Sequence, residues 1–185
     1  MSGRLVTVVG ASGAGKDTLL GAARASLAGD PRFLFAQRVI TRPAETNPHP
    51  GIEQHIPMSE AEFEAAAADG AFALSWAAHG LHYGIPRSIE DELAAGRIVV
   101  ANLSRSVLAE ADRRYRLRVL LVTAPPEVLA ARLAGRGRET MAEIALRLSR
   151  AAPLVEGLDL IEVANDTTPD IGAERLLSAL KDAAE

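Results

Sequence analysis

The stretch Gly10-Ala11-Ser12-Gly13-Ala14-Gly15-Lys16-Asp17-Thr18 follows an apolar run from Leu5 to Val9 and leads directly into a helical pattern carrying Leu19 and Leu20. That order reads as strand, phosphate loop and helix. Glycines allow the backbone to turn with its N–H groups facing inward, and the helix adds the positive end of its dipole, so residues 10–18 form a cradle for a polyphosphate. Lys16 is expected to reach the transferring end of that polyphosphate. The usual pattern places Ser or Thr directly after the lysine to serve Mg2+. Here Asp17 stands there and the hydroxyl of Thr18 follows one residue later, so either could meet the ion, directly or through water. Asp17 is also suited simply to the start of a helix, where a carboxylate contributes about 0.3–1 kcal/mol. A dinucleotide-binding fingerprint has no call for a terminal lysine and wants an acidic residue about 20 positions on, and is set aside.

With 185 residues and 48% hydrophobic side chains, the chain can bury one sizeable core, and no composition shift marks a second domain. The net charge of −4 argues against general affinity for nucleic acid, although clustered arginines allow local positive ground. There are no cysteines, which excludes disulfides and thiolate metal sites. The first strand is too short for the apolar part of a signal peptide and no run approaches a membrane span. The expectation is a soluble, cytoplasmic protein with no membrane partner, and a homodimer is compatible with it.

Along the chain, Lys16 to Ala28 predicts a helix stopped by Gly29-Asp30-Pro31, and Phe33 to Ile40 a second strand. Prolines 43, 48, 50 and 57 with Gly51 make 41–57 a long irregular excursion. Ser59-Glu60-Ala61-Glu62 is a capping box opening a helix to about Asp69, with Gly70 as its stop. A short apolar stretch over 72–76 precedes His79-Gly80-Leu81-His82-Tyr83-Gly84. A helix is then expected over 86–95 and a buried parallel strand over 98–101. Asn102, Ser104 and Arg105 follow at its carboxyl end, where ligands bind in open α/β sheets. Strand 117–122, a helix from Pro125-Pro126 to about Ala134, strand 158–164 and a helix from Pro169 complete an alternation that implies a three-layer α/β domain with a mainly parallel sheet.

Arg132-Leu133-Ala134-Gly135-Arg136-Gly137-Arg138-Glu139, followed by Arg147 and Arg150, could be a solvated helix face. The glycines flanking Arg136 point instead to a hinged segment whose arginines close over phosphates and stabilise a transferring group.

Taken in order, the loop at 10–16, Thr41-Arg42-Pro43, Gly51 with His55, the Ser59 helix with Phe63, His79-Gly80 with Tyr83-Gly84, and Arg132 through Glu139 resemble the guanylate-kinase-like nucleoside monophosphate kinases. The resemblance runs from the phosphate loop to about Arg150. It implies a P-loop NTPase sheet in the order 2-3-1-4-5, an acceptor-binding lobe over about 36–90 and an arginine lid over about 132–147, all within one kinase domain. By the same resemblance Arg42 and Tyr83 hold the acceptor's phosphate. Two departures are informative. Glu45 stands where guanylate kinases carry a second arginine, and Leu74 where they carry the glutamate that reads guanine.

Arg105 replaces an acidic pattern at the end of the third strand, and an arginine suits another phosphate as a carboxylate suits a base's donors. Together with Gly-Lys-Asp in the loop, Val39-Ile40-Thr41-Arg42-Pro43, Trp76-Ala77-Ala78-His79-Gly80-Leu81 and Arg136-Gly137-Arg138-Glu139, this is similar to the ribose 1,5-bisphosphate phosphokinases of phosphonate catabolism. That family uses ATP to convert ribose 1,5-bisphosphate, a small sugar phosphate, to 5-phospho-α-D-ribose 1-diphosphate and ADP. Lys16, Arg136 and Arg138 are then expected to neutralise the transferring group, and Arg42, Arg105 and Tyr83 to align the acceptor. His79, Asn102 and Arg147 are further candidates for substrate contact, Asn102 being equally suited to capping its strand. A guanylate or other nucleoside monophosphate kinase, and a non-catalytic binding module of the same fold, are the competing readings.

Overall fold

The computed structural model describes residues 3–11, 13–43, 55–135 and 156–184. Its centre is β1 (Arg4–Gly10), parallel to β7 (Ile98–Asn102) on one side and to β8 (Leu117–Thr123) on the other. A strand enclosed on both faces needs apolar residues at successive positions rather than in alternation, and Leu5, Val6, Val8 and Val9 are each at most 1% exposed. Side-chain alternation then divides them between two cores. Val6 and Val8 pack with Leu19, Leu20, Leu176 and Leu180 of α1 (Lys16–Ser26) and α6 (Pro169–Asp182). Leu5 and Val9 pack with Ile89 of α3 (Ile89–Ala94) and Leu108 of α4 (Leu108–Arg114).

With β2 (Phe33–Phe35) and β9 (Leu160–Ala164), these strands form a parallel sheet in the order β2-β7-β1-β8-β9. Counted within this sheet alone the order is 2-3-1-4-5; the labels differ because the four strands of a second sheet fall between its second and third members. That second sheet, β4-β3-β6-β5, contains β3 (Val39–Ile40), β4 (Ile56–Pro57), β5 (Phe72–Ala78) and β6 (Leu81–Pro86). Antiparallel pairs join β6 to β3 and to β5, whereas β3 and β4 run parallel. Its helix α2 (Glu60–Ala68) begins with the anticipated capping box, the Ser59 hydroxyl accepting from the Glu62 N–H and the Glu62 carboxylate from the Ser59 N–H.

The expected strand over 33–40 is therefore two strands in two sheets. Ala36 still donates to the Val100 carbonyl at 2.9 Å, after which the chain leaves the parallel sheet and Val39 pairs with Gly84. Apolar patterning registers extended backbone but not a change of hydrogen-bonding partner. The helix expected from Pro86 begins later, because Pro86 ends β6 and pairs with Phe72. Similarly, β9 starts at Leu160 rather than Leu158, after a turn through Gly157 at φ +83°. Among the described residues no helix is long and apolar enough to cross a membrane.

A polar brace ties the second sheet to the main domain. Arg114 donates to the Ala73 carbonyl of β5 and to the Glu90 carboxylate of α3, and the Tyr115 hydroxyl donates to the same Glu90 oxygen at 2.7 Å. The Tyr115 bond, with Arg87 and Arg114 nearby, holds the Glu90 carboxyl below its usual range despite some desolvation. Burial and the Glu90 carboxylate push the Tyr115 phenol up to about 12. A lowered carboxyl pKa contributes stability above the unfolded value that is lost as pH falls through the folded one; a raised phenol pKa contributes stability that is lost as pH rises past the unfolded value of about 10 towards the folded one. Tyr115→Phe is expected to cost about 1 kcal/mol near neutrality. Its penalty should shrink both below about pH 4 and above about pH 10, as read by urea unfolding; a pH-independent penalty would count against the brace.

Candidate active site

β1 delivers the chain to the phosphate loop at the carboxyl edge of the sheet. Gly13 and Gly15 take φ of +85° and +88°, a conformation that side chains rarely adopt, and Gly15 passes directly into α1. The 11 residues of α1 direct their N-terminal dipole at the loop. The Lys16 ammonium donates to the carbonyls of Gly10 at 2.9 Å and Ala11 at 3.2 Å, which ties it to the start of the loop. Ala14 N–H closes a turn onto the Ala11 carbonyl at 3.1 Å. Helix α5 (Pro126–Ala134) leans on the loop from outside: a Cβ on Gly13 would lie 3.1 Å from the Leu133 side chain and 3.2 Å from the Leu129 carbonyl.

Asp17 and Thr18 are both exposed on the first turn of α1. Asp17 Oδ1 accepts from Asn102 Nδ2 at 3.3 Å, so the end of β7 meets the first turn of α1 beside the phosphate loop. Asn102 is 7% exposed. Among the described residues there is no group of three or more His, Cys, Asp or Glu side chains able to hold a metal. A lone exposed carboxylate with a neighbouring hydroxyl fits Mg2+, which keeps several waters and takes most other ligands from phosphates.

Arg105 opens a 3-10 turn, Arg105–Val107, capped by Ser104, whose hydroxyl accepts from Ser106 N–H. Leu103 and Val107 share a core with Leu74 and the half-buried Trp76 of β5, so this turn lies against the second sheet. On that sheet Tyr83 pairs with Ile40 on one side and Trp76 on the other. The Trp76 and Tyr83 rings are stacked, 5.4 Å apart and 3° from parallel. Thr41 prolongs the β3–β6 pairing through its side chain, its hydroxyl accepting from His82 N–H at 2.9 Å. The next residue is Arg42, whose carbonyl contacts His55 Nε2 at 3.1 Å and whose Nε–H is buried without a hydrogen-bond partner among the described residues. A buried, unsatisfied guanidinium donor is costly and suits an anion.

Leu74 is 2% exposed and packs in the core. His79 is exposed at the tip of the β5–β6 hairpin with φ +54°, next to Gly80 at +72°; this pair forms the hairpin turn. His82 faces away from Tyr83 towards α2, its ring 5.5 Å from Phe63 and its Nε2 3.5 Å from Glu60. Ser12, Arg136, Arg138, Arg147 and Arg150 lie outside the described residues, as do Glu45 and Gly51. Of the arginines expected to form a lid only Arg132 is described, with Nη1 3.5 Å from the Ala14 carbonyl.

Asn165, which follows β9, is absent from the sequence-based candidates. It is 3% exposed, and its Nδ2 donates to the Ala14 carbonyl at 2.7 Å. Its own N–H donates to the Thr123 carbonyl at the end of β8. Asn165 thus suspends the phosphate loop from the two last strands of the sheet. Its position at a strand's carboxyl end was the available signal, the same that singled out Asn102.

This loop on this sheet, with a second, smaller sheet beside it, defines a P-loop phosphotransferase of guanylate-kinase-like fold. A guanylate kinase from Anaplasma phagocytophilum has the same fold, with a TM-score of 0.69 at 18% identity over 98% of this chain and 86% of that one. No family model matches the chain. Among curated proteins it is 55% identical to ribose 1,5-bisphosphate phosphokinase PhnN of Acidiphilium cryptum over 97% of this chain and 93% of that protein. It is 48% identical to the protein of the same name from Thiobacillus denitrificans, over 98% and 94% of the two chains. The chain belongs to the ribose 1,5-bisphosphate phosphokinase family, and it is a kinase.

Proposed function

We propose that this protein transfers the terminal phosphoryl group of ATP to the 1-phosphate of ribose 1,5-bisphosphate, giving 5-phospho-α-D-ribose 1-diphosphate and ADP in phosphonate catabolism. The reading is carried by 55% identity across nearly the whole chain to a kinase named for that substrate. Apolar Leu74 at the base-reading position and the buried Nε–H of Arg42 support an acceptor that has phosphates and no base. A charged sugar bisphosphate and a nucleoside triphosphate as co-substrates point to the cytoplasm.

A phosphate monoester has a second pKa of about 6, so its attacking oxygen is already ionised near neutrality and the reaction needs no general base. Catalysis is therefore positioning and charge. The N–H groups of 10–15 and the start of α1 hold the donor's phosphates, and Lys16 moves from the loop carbonyls to the transferring group. Asp17, oriented by Asn102, and Thr18 are the residues to hold Mg2+, which when bound screens charge between donor phosphates. Arg42 and Tyr83 hold the acceptor's phosphate, and Arg105 approaches from the end of β7. Arg136, Arg138 and Arg147 complete the charge from the lid, within a single kinase domain whose acceptor lobe spans about 36–90.

Phosphorus NMR of separate reactions containing ATP, Mg2+ and either ribose 1,5-bisphosphate or guanosine monophosphate tests the assignment. The expected result is a sugar diphosphate from the first and no product from the second. Guanosine diphosphate alone would overturn the specificity while leaving the fold assignment intact.

A further inference from the structure

At the edge of the parallel sheet opposite the phosphate loop, β1 begins on an arginine. Arg4 is 9% exposed, and its Nε–H is buried without a hydrogen-bond partner among the described residues. Its backbone is fixed from both sides. Arg4 N–H donates to the Arg97 carbonyl at 3.1 Å, and the flanking Gly3 and Leu5 N–H groups donate to the Leu93 and Arg116 carbonyls at 2.8 and 3.0 Å. A Cβ on Gly3 would lie 2.2 Å from the Arg97 carbonyl oxygen, so the chain enters the sheet by one narrow path.

Strand register sets what surrounds Arg4. It pairs with Ile98 on β7, and Val6 pairs with Arg118 on β8. Alternation puts Arg4 on the face of β1 that carries Val6 and Val8, and Arg118 on the face of β8 that carries Leu120 and Val122. Those four apolar residues belong to the core under α1 and α6. Arg116 is exposed two residues before Arg118. The other arginines at this edge have carboxylates: Arg97 Nη1 lies 3.0 Å from Glu92, and Arg118 Nε 2.9 Å from Asp159. Arg118 Nη1 also reaches the Asp182 carbonyl in the last turn of α6, at 3.4 Å. Burial, then the like charges of Arg118 and Arg116, draw the Arg4 guanidinium below its usual pKa, with Asp159 opposing them.

A buried guanidinium beside like charges is unfavourable, and an anion compensates it. Three guanidinium charges against the single Asp159 carboxylate leave two positive charges, which match a phosphate dianion better than a carboxylate. The planar N–H fork of arginine also fits phosphate oxygens. β1 runs seven residues from Arg4 to Gly10, about 20 Å at roughly 3.3 Å per residue, so an anion here lies well away from the phosphate loop.

We propose that the amino edge of the parallel sheet is a second anion site, at which Arg4, Arg116 and Arg118 bind a phosphate dianion, either inorganic phosphate or the phosphate of a small phosphorylated metabolite. It does not depend on which acceptor the active site takes.

Calorimetric titrations of inorganic phosphate, and separately of ribose 5-phosphate, would be run into protein saturated with a non-hydrolysable ATP analogue, which keeps the phosphate loop occupied. Phosphate held in the active site is insensitive to Arg4, so wild type, Arg4→Met and Arg116→Gln are compared. Arg4→Met should weaken Kd by about 10–100-fold and Arg116→Gln by less, with kcat unchanged in both. Phosphate should raise the wild-type thermal midpoint more than that of Arg4→Met. Without phosphate, Arg4→Met should melt no lower than wild type, because it replaces an uncompensated buried charge by an apolar chain of similar length. Sulfate should compete and chloride should not. An Arg4-sensitive Kd that is tighter for inorganic phosphate assigns the site to the free ion, and one tighter for ribose 5-phosphate assigns it to phosphate esters. Equal Kd values in wild type and Arg4→Met would overturn the proposal, and a lowered midpoint accompanying them would make Arg4 a structural residue. Should Arg4→Met fail to fold, an unchanged Kd in Arg116→Gln would overturn it.

Discussion

Lys16→Ala is expected to lower kcat by about 10²–10³-fold, the loss seen when one preorganised donor to a transferring group is removed. The side chain leaves α1 at its first residue and bonds to the Gly10 and Ala11 carbonyls, at the surface of the loop rather than within either core. Its removal should therefore leave the thermal midpoint within a few degrees of wild type. Single-turnover kinetics at saturating ATP separate the two effects. Near-normal turnover by a folded Lys16→Ala protein would remove the loop from the mechanism.

A second large effect is expected where the loop is suspended. Asn165→Ala removes the 2.7 Å bond to the Ala14 carbonyl and leaves that buried acceptor with only the longer 3.5 Å contact to Arg132 Nη1, at about 1–3 kcal/mol. Because the lost bond positions the backbone proposed to meet the donor's phosphates, ATP affinity should fall by roughly 10-fold while acceptor KM stays near wild type. Gly15→Ala should be harmful for a related reason. Its φ of +88° is strained for any side chain, and a Cβ there would lie 2.5 Å from Asn165 Nδ2. Part of that harm is a collision with Asn165, so Gly15→Ala combined with Asn165→Ala should cost less than the sum of the two single changes. Calorimetric titration with a non-hydrolysable ATP analogue and thermal unfolding read both quantities. Additive losses would show that Gly15 and Asn165 do not meet.

Asn165 is instructive about reading such a chain. Its neighbourhood, Ala164-Asn165-Asp166, has no motif of its own, and the residue whose carbonyl it holds lies 151 positions away. The phosphate loop, by contrast, is legible because everything it needs is contiguous: an apolar strand, glycines at the turns, a lysine, and a helix whose dipole begins where the loop ends. The capping box at Ser59 was legible for the same reason, since a helix start is satisfied by residues three apart. The strand over 33–40 was read only in part. Its extended backbone is local, but the transfer from β7 to β6 as hydrogen-bonding partner is a property of the assembled sheets.

The chain's own order of residues thus determined the alternation of strands and helices, the phosphate loop and the turn residues, all of which depend on neighbours within a few positions. The tertiary structure alone decided that Asn102 meets Asp17, that Asn165 carries the loop, and that Tyr83 of β6 lies against both Trp76 of β5 and Arg38 at the start of β3. Each of these joins residues from separate elements, and backbone pairing rather than sequence spacing sets which side chains come within a few ångströms of one another.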